Sequence, residues 1–468
     1  MITMILFLHV CLKGGGEDFD KYKISCILKD DKIIKVTIKK DKNTLVICVS
    51  YCVLPEKLSK LGESFGVDSL KSIFPYKFAI RSNLLYRGVT PDFHYYENIS
   101  LKEYKEIFKQ DWFFKHESLK YLINDINCLY EVLDKTNIQI FIDFNVQMTD
   151  SLTISGLAVI IFLKHFYKNN IPLINKASIY RDIKQAYYGG ITEVYKPFGS
   201  NLYYYDVNSL YPYVSLQDMP GLDCSPIQYY GLDENIDNLF GFFRACVETP
   251  LNSYLGLLPY RDKSGLIFPF GSWESWYFCE KLKFAKENGY KITVLQGYNF
   301  SKQSNVFKYY VKKIYDIKAN TSNKIQWSMA KSLLNNILGR FGIGLNKAIT
   351  KIWSEDIFHR NMNFYRIVSY KYISKDKILV SYIPKVDVDL VNEHNLDLIK
   401  LVKNFTDSEI QKIDVSSLPI SAAVTAYGRI HISKLKLCIL EKKGLIYYSD
   451  TDSIVTNIEL DHSMLHPK

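Results

Sequence analysis

The spacing of apolar residues predicts both strands and helices in the first third of the chain. Residues 1–50 alternate in short runs, and "YKISCILKDDKIIKVTIKKDKNTLVICVS" predicts two or three strands with a turn at "KDDK". The stretch "PEKLSKLGESFGV" predicts a short helix, and residues 101–135 predict one or two helices because their apolar positions recur at helical spacing.

A further helix and a joint are predicted before the middle of the chain. "DSLTISGLAVIIFLKHFYK" is typical of a buried helix that begins at Asp150, Ser151 or Thr153. "YYGG" (187–190) predicts a turn or a flexible joint. "NLYYYDVNSLYP" then predicts a strand that runs into a turn at Pro212.

The second half of the chain gives more varied patterns. Residues 213–300 look irregular, a helical hairpin is predicted over about 300–342, and residues 353–412 alternate strands with a polar stretch. "SAAVTAYGRIHISKLKLCILEK" predicts a helix, and "GLIYYSDTDSIVTNI" predicts a β-hairpin with two aspartates at its tip. The whole pattern indicates an α+β fold.

Composition and charge restrict the function classes without choosing one. The 468 residues include 59 Lys+Arg and 49 Asp+Glu, and this net charge of +10 permits a polyanionic partner or merely a solvated basic surface. The nine cysteines contain no C-x2-C pair, which argues against a zinc site and indicates a reducing compartment. The apolar runs are shorter than the roughly 20 residues of a membrane span, so no membrane partner is expected.

Two aspartates, Asp450 and Asp452, are the first candidates for chemistry. If both lie on a strand, they point to the same side and raise each other's pKa unless a cation compensates their charge. Carboxylate oxygens suit Mg²⁺ or Mn²⁺, although a bare D-x-D is more often a solvated acidic turn.

Asp206 is the second acidic candidate, at the end of the strongly apolar strand "YYYDVNSLYP". A single aspartate there is often only a helix cap. Two strands that each deliver carboxylates at their ends could instead hold two metal ions roughly 4 Å apart, as in-line displacement at phosphorus requires.

The helix "KSLLNNILGRFG" supplies the third candidate group. Lys331 and Asn335 fall one turn apart on one face, and Lys318 adds a further positive charge nearby in sequence. A surface charge stripe is the simpler explanation of this helix taken alone. If it lies beside the carboxylates, however, this group predicts a binding site for the triphosphate in nucleotidyl transfer.

Three motifs in order resemble those of family B DNA polymerases. "DVNSLYP" (206–212) resembles motif A, "KSLLNNILGRFG" (331–342) resembles motif B, and "YSDTDS" (448–453) resembles motif C. "YYGG" resembles the joint between the exonuclease and polymerase modules, and the spacers resemble the protein-primed branch found in linear plasmids of mitochondria and in small bacteriophages.

The resemblance implies a right-hand palm and fingers, preceded by a partial RNase H-like exonuclease domain and with the thumb largely absent. The expected segments are a partial exonuclease-like domain (1–175), a joint and first palm strand (176–215), an insertion of the protein-primed type (216–300), fingers (301–352), a second insertion (353–412) and a palm segment with motif C (413–468).

The resemblance also implies a role for each matching residue. The catalytic carboxylates would be Asp206, Asp450 and Asp452, with two Mg²⁺ or Mn²⁺ ions held by Asp206, the carbonyl of Val207 and Asp452. The expected nucleotide contacts are Tyr211, which would exclude a 2′-hydroxyl, Lys318, Lys331 and Asn335. The expected DNA contacts are Tyr187, Gly189, Gly190, Thr425, Tyr448 and Ser453, with Tyr427 and Arg429 beside them.

Parts of the family pattern are missing from the sequence. Tyr121 and Asp125 in "YLIND" match the third exonuclease motif, but no match to the first two motifs precedes them, so loss of 3′–5′ exonuclease activity is expected. The chain ends soon after motif C, too early for a thumb. A truncated reading frame is therefore one of the expectations.

Two hypotheses stay open from the sequence. The first is a DNA-directed DNA polymerase, with template, primer and dNTPs as partners and a terminal priming protein as a further candidate partner. The second is a catalytically defective remnant that only binds nucleic acid or a terminal protein. Reverse transcriptases and RNA polymerases are disfavoured, since they typically carry adjacent aspartates at the hairpin. The A/T-biased composition and the resemblance favour a mitochondrial location, with the cytoplasm as the alternative.

Overall fold

The computed structural model of the chain describes residues 23–461 without 30–31, 71, 98, 169–170, 175, 229–234, 252, 264, 343–347, 364, 375–376 and 387–416. The helices of this part are α1 Leu58–Phe65, α2 Leu101–Ile107, α3 Phe114–Phe144, α4 Ile154–His165, α5 Ala177–Ala186, α6 Leu210–Val214, α7 Cys279–Glu287, α8 Lys308–Asn320, α9 Lys324–Phe341, α10 Glu355–Asn361 and α11 Leu418–Glu441.

The strands in the described part of the chain fall into five antiparallel sheets of two, four or six strands. Their bounds are β1 Lys23–Lys29, β2 Lys32–Lys40, β3 Asn43–Cys48, β4 Arg87–Gly88, β5 Trp112–Phe113, β6 Thr192–Val194, β7 Tyr203–Asp206, β8 Met219–Gln228, β9 Gly241–Glu248, β10 Tyr260–Arg261, β11 Leu266–Ile267, β12 Ser272–Phe278, β13 Lys291–Gln303, β14 Ile349–Ser354, β15 Tyr365–Ser374, β16 Lys377–Val386, β17 Ile446–Asp450 and β18 Ser453–Thr456.

The chain folds as two compact units, each made of separate segments. The larger unit comprises Met1–Val49, Ala158–Tyr315 and Ser332–Lys468, and the smaller unit comprises Ser50–Leu157 and Asp316–Lys331. These units group residues by contact in space, so the segment boundaries expected from the family resemblance stay predictions.

One four-stranded sheet of the larger unit carries the predicted hairpin. Its strand order is β6-β17-β18-β7, and β17 and β18 form the hairpin with Asp450 opposite Ser453. The two-residue tip holds Thr451 in the left-handed region at φ 50°. We name this sheet the palm sheet, and its hairpin was correctly predicted from the apolar runs on either side of the aspartates.

The prediction that residues 213–300 are irregular is wrong. This stretch forms a second four-stranded sheet, β12-β9-β13-β8, together with α7. Strand β8, "MPGLDCSPIQ", contains two prolines and a glycine, which argue against a strand. It lies at the edge of the sheet, where a proline does not interrupt the hydrogen bonds of a central strand.

A six-stranded sheet joins parts of the chain that are far apart in sequence. Its order is β15-β16-β14-β1-β2-β3, and Ser25 of β1 pairs with Lys351 of β14. The strands predicted within residues 1–50 are confirmed. Their pairing with β14 was not predicted, because no short-range pattern reports it.

The helical predictions are confirmed with one correction. Helices α1, α2, α3, α4, α8, α9 and α11 all lie where helical spacing indicated them. Of the three candidate caps for α4, Thr153 takes the role, since its hydroxyl accepts the N–H of Gly156 at 3.1 Å. Pro212, predicted to form a turn, lies instead in the first turn of α6, where a missing N–H costs little. No described helix is long and apolar enough to cross a bilayer.

Candidate active site

Three carboxylates meet at one end of the palm sheet. Asp206 ends β7 and lies opposite Ser453, and Ser453 in turn lies opposite Asp450 at the end of β17. Asp452 follows in the hairpin tip and not on a strand, which corrects the expectation that it shares a strand face with Asp450. The backbone register, rather than strand alternation alone, therefore brings the three together.

Asp450 is held by hydroxyl groups. Its Oδ1 accepts hydrogen bonds from the hydroxyls of Thr192 at 2.9 Å and Thr451 at 3.1 Å. Its Oδ2 lies 3.4 Å from the hydroxyl of Tyr448, a long contact. Thr192 was missed in the sequence because a lone threonine after "GGI" belongs to no motif that the residues themselves reveal.

The backbone around Asp452 fixes the hairpin tip against motif A. The N–H of Val207 donates to the carbonyl of Asp452 at 2.8 Å, and the N–H of Asp452 donates to the carbonyl of Asp450 at 2.6 Å. Burial raises the pKa of Asp452, and the charges of Asp206 and Asp450 raise it further. Within the described part of the chain, no lysine or arginine forms an ion pair with any of these three carboxylates.

This donor set fits a hard divalent cation of the Mg²⁺ class. The described residues contain no cluster of three or more His, Cys, Asp or Glu side chains suited to one ion. Mg²⁺ is usually bound through only one or two carboxylates, with water and substrate phosphates completing its coordination. Asp206, Asp452 and the neighbouring Val207 carbonyl match that pattern, and like charges without a basic partner favour a bound cation.

Ser453 and Tyr448 serve the hairpin itself in this structure. Ser453 is 3% exposed, and its hydroxyl donates to the carbonyl of Asp450 at 3.1 Å. The hydroxyl of Tyr448 faces Asp450, and desolvation followed by the Asp450 charge raises its pKa. Their predicted contact with the primer end stays a prediction.

Tyr211 lies beside the carboxylates in the first turn of α6. A Cβ atom added to Gly428 of α11 would lie 3.2 Å from Cε1 of Tyr211, so the ring packs closely against that glycine. Ser209, which precedes α6, is held in the left-handed region at φ 58°. Such backbone strain in a non-glycine residue is often found at functional sites. Burial raises the pKa of Tyr211, so its hydroxyl stays protonated.

The "YYGG" joint packs directly against the hairpin tip. A Cβ atom on Gly190 would lie 2.5 Å from the Thr451 hydroxyl, so only glycine fits there. The N–H of Thr451 also donates to the carbonyl of Ile191 at 2.8 Å. Tyr187 and Gly189, the other predicted residues of the joint, lie in the same irregular segment between α5 and β6. The joint therefore holds the hairpin tip beside which the carboxylates lie.

Arg429 of α11 holds the same joint from inside the protein. Its guanidinium is 3% exposed and donates to the carbonyls of Tyr188 and Gly189, both at 2.7 Å. Burial lowers the pKa of Arg429 to about 10. In the same "TAYGR" stretch, Thr425 bonds within α11 and Tyr427 donates to the carbonyl of Asp218 at 3.0 Å.

Lys318, Lys331 and Asn335 lie on the helical hairpin formed by α8 and α9. The ammonium group of Lys331 lies 5.2 Å from the ring centre of Trp327. Desolvation and then the positive charge of Lys331 lower the pKa of Lys318. Asn335 is exposed one turn after Lys331. The smaller unit contains both lysines, and the carboxylates belong to the larger one.

The exonuclease-like pair Tyr121 and Asp125 lies on α3 of the smaller unit. The Tyr121 hydroxyl donates to Oδ2 of Asp125 at 2.5 Å and also contacts the hydroxyl of Tyr76. Among the residues that the structure describes, no other acidic side chain joins this pair into a metal-binding group. Residues before 20, where the first two exonuclease motifs are expected, lie outside the described residues.

The chain is similar to proteins named as DNA polymerases. It is 43% identical over 464 residues to a "Probable DNA polymerase" of Podospora anserina, with 96% of this chain and 38% of that protein covered. It is 32% identical over 480 residues to a "Probable DNA polymerase" of Neurospora intermedia, with 95% and 46% covered. The chain thus spans less than half the length of either relative.

Solved structures of Phi29 DNA polymerase have the same fold. The orthorhombic crystal form gives a TM-score of 0.60 at 18% identity, with 94% of this chain and 67% of that chain covered. The complex with primer-template DNA and incoming nucleotide substrates gives 0.59 at 20% identity over the same shares. The predicted α+β polymerase fold is confirmed, while the partial exonuclease domain and the largely absent thumb stay predictions.

The sequence model of the family described as "DNA polymerase type B, organellar and viral" matches residues 15–436. This match covers motifs A and B and the joint, and the hairpin with motif C follows it in the palm sheet. The resemblance to family B polymerases of the protein-primed type is thereby confirmed. The chain belongs to the type B DNA polymerases of organelles and viruses.

Proposed function

We propose that this chain is a DNA-directed DNA polymerase whose reaction centre is formed by Asp206, Asp450 and Asp452. The observation that supports it most strongly is the meeting of these carboxylates at the hairpin tip without a basic partner among the described residues. A solvated acidic turn would not need the N–H of Val207, which follows β7, to bond with Asp452, or the hydroxyl of Thr192 in β6 to bond with Asp450.

In the proposed reaction the primer 3′-oxygen bonds to the α-phosphorus of a dNTP, the bond from that phosphorus to pyrophosphate breaks, and the primer hydroxyl loses its proton. Two Mg²⁺ or Mn²⁺ ions held by Asp206, Asp452 and the Val207 carbonyl would compensate the charge of the reacting phosphates. The protein's own part is to hold Asp206 beside Asp452, since the strand pair β7 and β18 places Asp206 opposite Ser453, the residue that follows Asp452.

Tyr211 is the proposed selector of deoxyribonucleotides. The Tyr211 ring is packed against Gly428, and the strained residue Ser209 lies two positions before it in the chain. The ring therefore has little freedom to move away from a 2′-hydroxyl. Lys318, Lys331 and Asn335 are the proposed contacts to the incoming nucleotide, supported by their position on α8 and α9 and by the positive charge of Lys331, which lowers the pKa of Lys318.

Primer extension with and without Asp206→Ala tests the proposal. We expect template-dependent extension with Mg²⁺ or Mn²⁺ and a loss of at least about 1000-fold in Asp206→Ala, since a metal-binding carboxylate is removed. Asp223→Ala, at an exposed aspartate of β8, is the matched control and should extend normally. Equal signal from the wild type and Asp206→Ala would favour the alternative, a defective remnant that only binds nucleic acid or a terminal protein.

The same primer-extension reactions, run without dNTPs, test the proposed loss of 3′–5′ exonuclease activity. We expect no shortening of the primer, because Asp125 has no other acidic partner in the described part of the chain. Shortening that disappears in Asp125→Ala would overturn this expectation.

The wider role that we propose is protein-primed replication of a linear plasmid in the mitochondrion, with the cytoplasm as the alternative location. The family description, "organellar and viral", and the A/T-biased composition support it. DNA template, primer and dNTPs would be the partners, and a terminal priming protein is a further proposed partner.

A further inference from the structure

We propose that Thr192 is a positioning residue for the Asp450 carboxylate, and that the buried Lys436 fixes the strand that carries Thr192. This inference rests on the proposed polymerase function. It gives a positioning role to strand β6 and helix α11, which contain none of the three aspartates.

Thr192 is the cross-strand neighbour of Asp450. The register of β6 and β17 pairs the two residues, and the Thr192 hydroxyl donates to Oδ1 of Asp450 at 2.9 Å. The other hydroxyl on Oδ1 comes from Thr451, which is part of the strained hairpin tip. Without Thr192, the carboxylate would be oriented only by groups of its own hairpin.

Strand β6 needs support from elsewhere, since it is short and lies at the edge of the palm sheet. It has three residues, Thr192–Val194, and among the described strands it pairs with β17 alone. Successive residues of a strand point to opposite faces, so Glu193 points away from the face on which Thr192 meets Asp450. Short edge strands have few hydrogen bonds to fix their position.

That support is a chain of hydrogen bonds from α11. Lys436 is 0% exposed, and its ammonium group donates to the hydroxyl of Tyr195 at 3.0 Å. The Tyr195 hydroxyl in turn donates to Oε2 of Glu193 at 2.5 Å. The N–H of Tyr195 donates to the carbonyl of Tyr447 at 2.8 Å, which closes the connection back to β17.

Burying a lysine in this way is costly, and an apolar side chain would fill the same space. A buried cation loses its hydration, and a hydrophobic replacement of similar volume is often as stable or more stable. Lys436 also lies above the Tyr195 ring, 5.1 Å from its centre. Stability alone therefore explains poorly why a lysine occupies position 436. Fixing β6 beside the reaction centre explains it directly.

The expected consequence is a loss of orientation rather than a loss of charge. Thr192→Val keeps the shape of the side chain and removes the hydroxyl, so the Asp450 carboxylate loses one of the hydrogen bonds that orient it. A misplacement of about 1 Å at a reaction centre lowers rates by up to about 100-fold. We expect Thr192→Val to lower kcat about 10-fold, with KM for the dNTP changed less than about twofold.

The experiment combines primer extension with Mn²⁺ titration in the absence of DNA and nucleotide, followed by electron paramagnetic resonance. We expect Thr192→Val to weaken Mn²⁺ binding several-fold, Thr192→Ser to restore both binding and kcat, and Lys436→Met to weaken both in the same direction. Thr44→Val, at an exposed threonine of the edge strand β3, is the matched control. Thermal melting establishes that each variant is folded.

The outcomes separate this inference from the proposed function. If Thr192→Val and Thr44→Val have the same Mn²⁺ affinity and the same kcat, the positioning role of Thr192 is overturned. Lys436→Met with normal binding and kcat overturns the part assigned to α11. If the wild type extends no better than Asp206→Ala, the proposed function fails, and the Mn²⁺ titration still decides whether Thr192 orients the carboxylates.

Discussion

Replacing the buried Lys436 with methionine should change how the stability of the chain depends on pH. Burial lowers the pKa of Lys436 from its ordinary 10.5 to about 8, although the charge of Glu193 acts in the opposite direction. The groups that face Lys436 are Glu193, Tyr195 and, on α7, Lys281, whose own pKa is lowered by burial and then by Arg429 and Lys436.

The sign of the effect follows from the direction of this pKa change. The folded state binds the Lys436 proton less tightly than the unfolded state, so the charged lysine destabilises the fold at any pH below about 8. That cost is relieved as the pH rises from about 8 to 10.5. At about 1.4 kcal/mol per pKa unit, the difference between 10.5 and 8 corresponds to about 3 kcal/mol.

Urea unfolding of the wild type and Lys436→Met at pH 7 and pH 9.5 measures the effect. We expect the wild type to gain stability relative to the variant between these values by about 2 kcal/mol, most of the full difference. Lys434→Met, which removes an exposed lysine from the same helix, is the control and should show no such gain. A pH-independent difference between the wild type and Lys436→Met would refute the reasoning, because it would mean that Lys436 titrates alike in both states.

Two further predictions concern the reaction centre. Tyr211→Ala should increase the incorporation of ribonucleotides relative to deoxyribonucleotides by at least about 10-fold, whereas Tyr211→Phe, which keeps the ring against Gly428, should not. Competition assays with labelled nucleotides measure this ratio. Equal ratios in the wild type and both variants would exclude Tyr211 as the selector. Gly190→Ala places a Cβ 2.5 Å from the Thr451 hydroxyl and should lower kcat about 10- to 100-fold in primer extension. A kcat equal to that of the wild type would refute the packing argument.

The sequence was sufficient to locate the hairpin and most helices, because their patterns are short-range. Apolar strands on both sides of "SDTDS" predict the hairpin, and 3.6-residue spacing predicts α3, α9 and α11. The three aspartates could be proposed as one site because each ends, or closely follows, an apolar strand. What the sequence could not supply was the register that places Asp206 opposite Ser453.

The unpredicted parts are those that depend on distant pairing or on an edge position. Strand β1 pairs with β14, more than 300 residues later, and nothing in either segment indicates its partner. The prolines of strand β8 are acceptable only at a sheet edge, and edge position is a property of the whole sheet, so the local pattern does not predict this strand.

Thr192 shows why the motifs alone underdescribe this reaction centre. Its hydroxyl reaches Asp450 because β6 pairs with β17, and Lys436 of α11 bonds with Tyr195, the residue that follows β6. Gly190, two residues earlier, is needed for a different reason, the closeness of the hairpin tip. A chain that kept all three aspartates and lost these supports would keep the charge of the site and lose its geometry. Since positioning supplies much of the rate in phosphoryl and nucleotidyl transfer, the supports should affect kcat more than substrate binding.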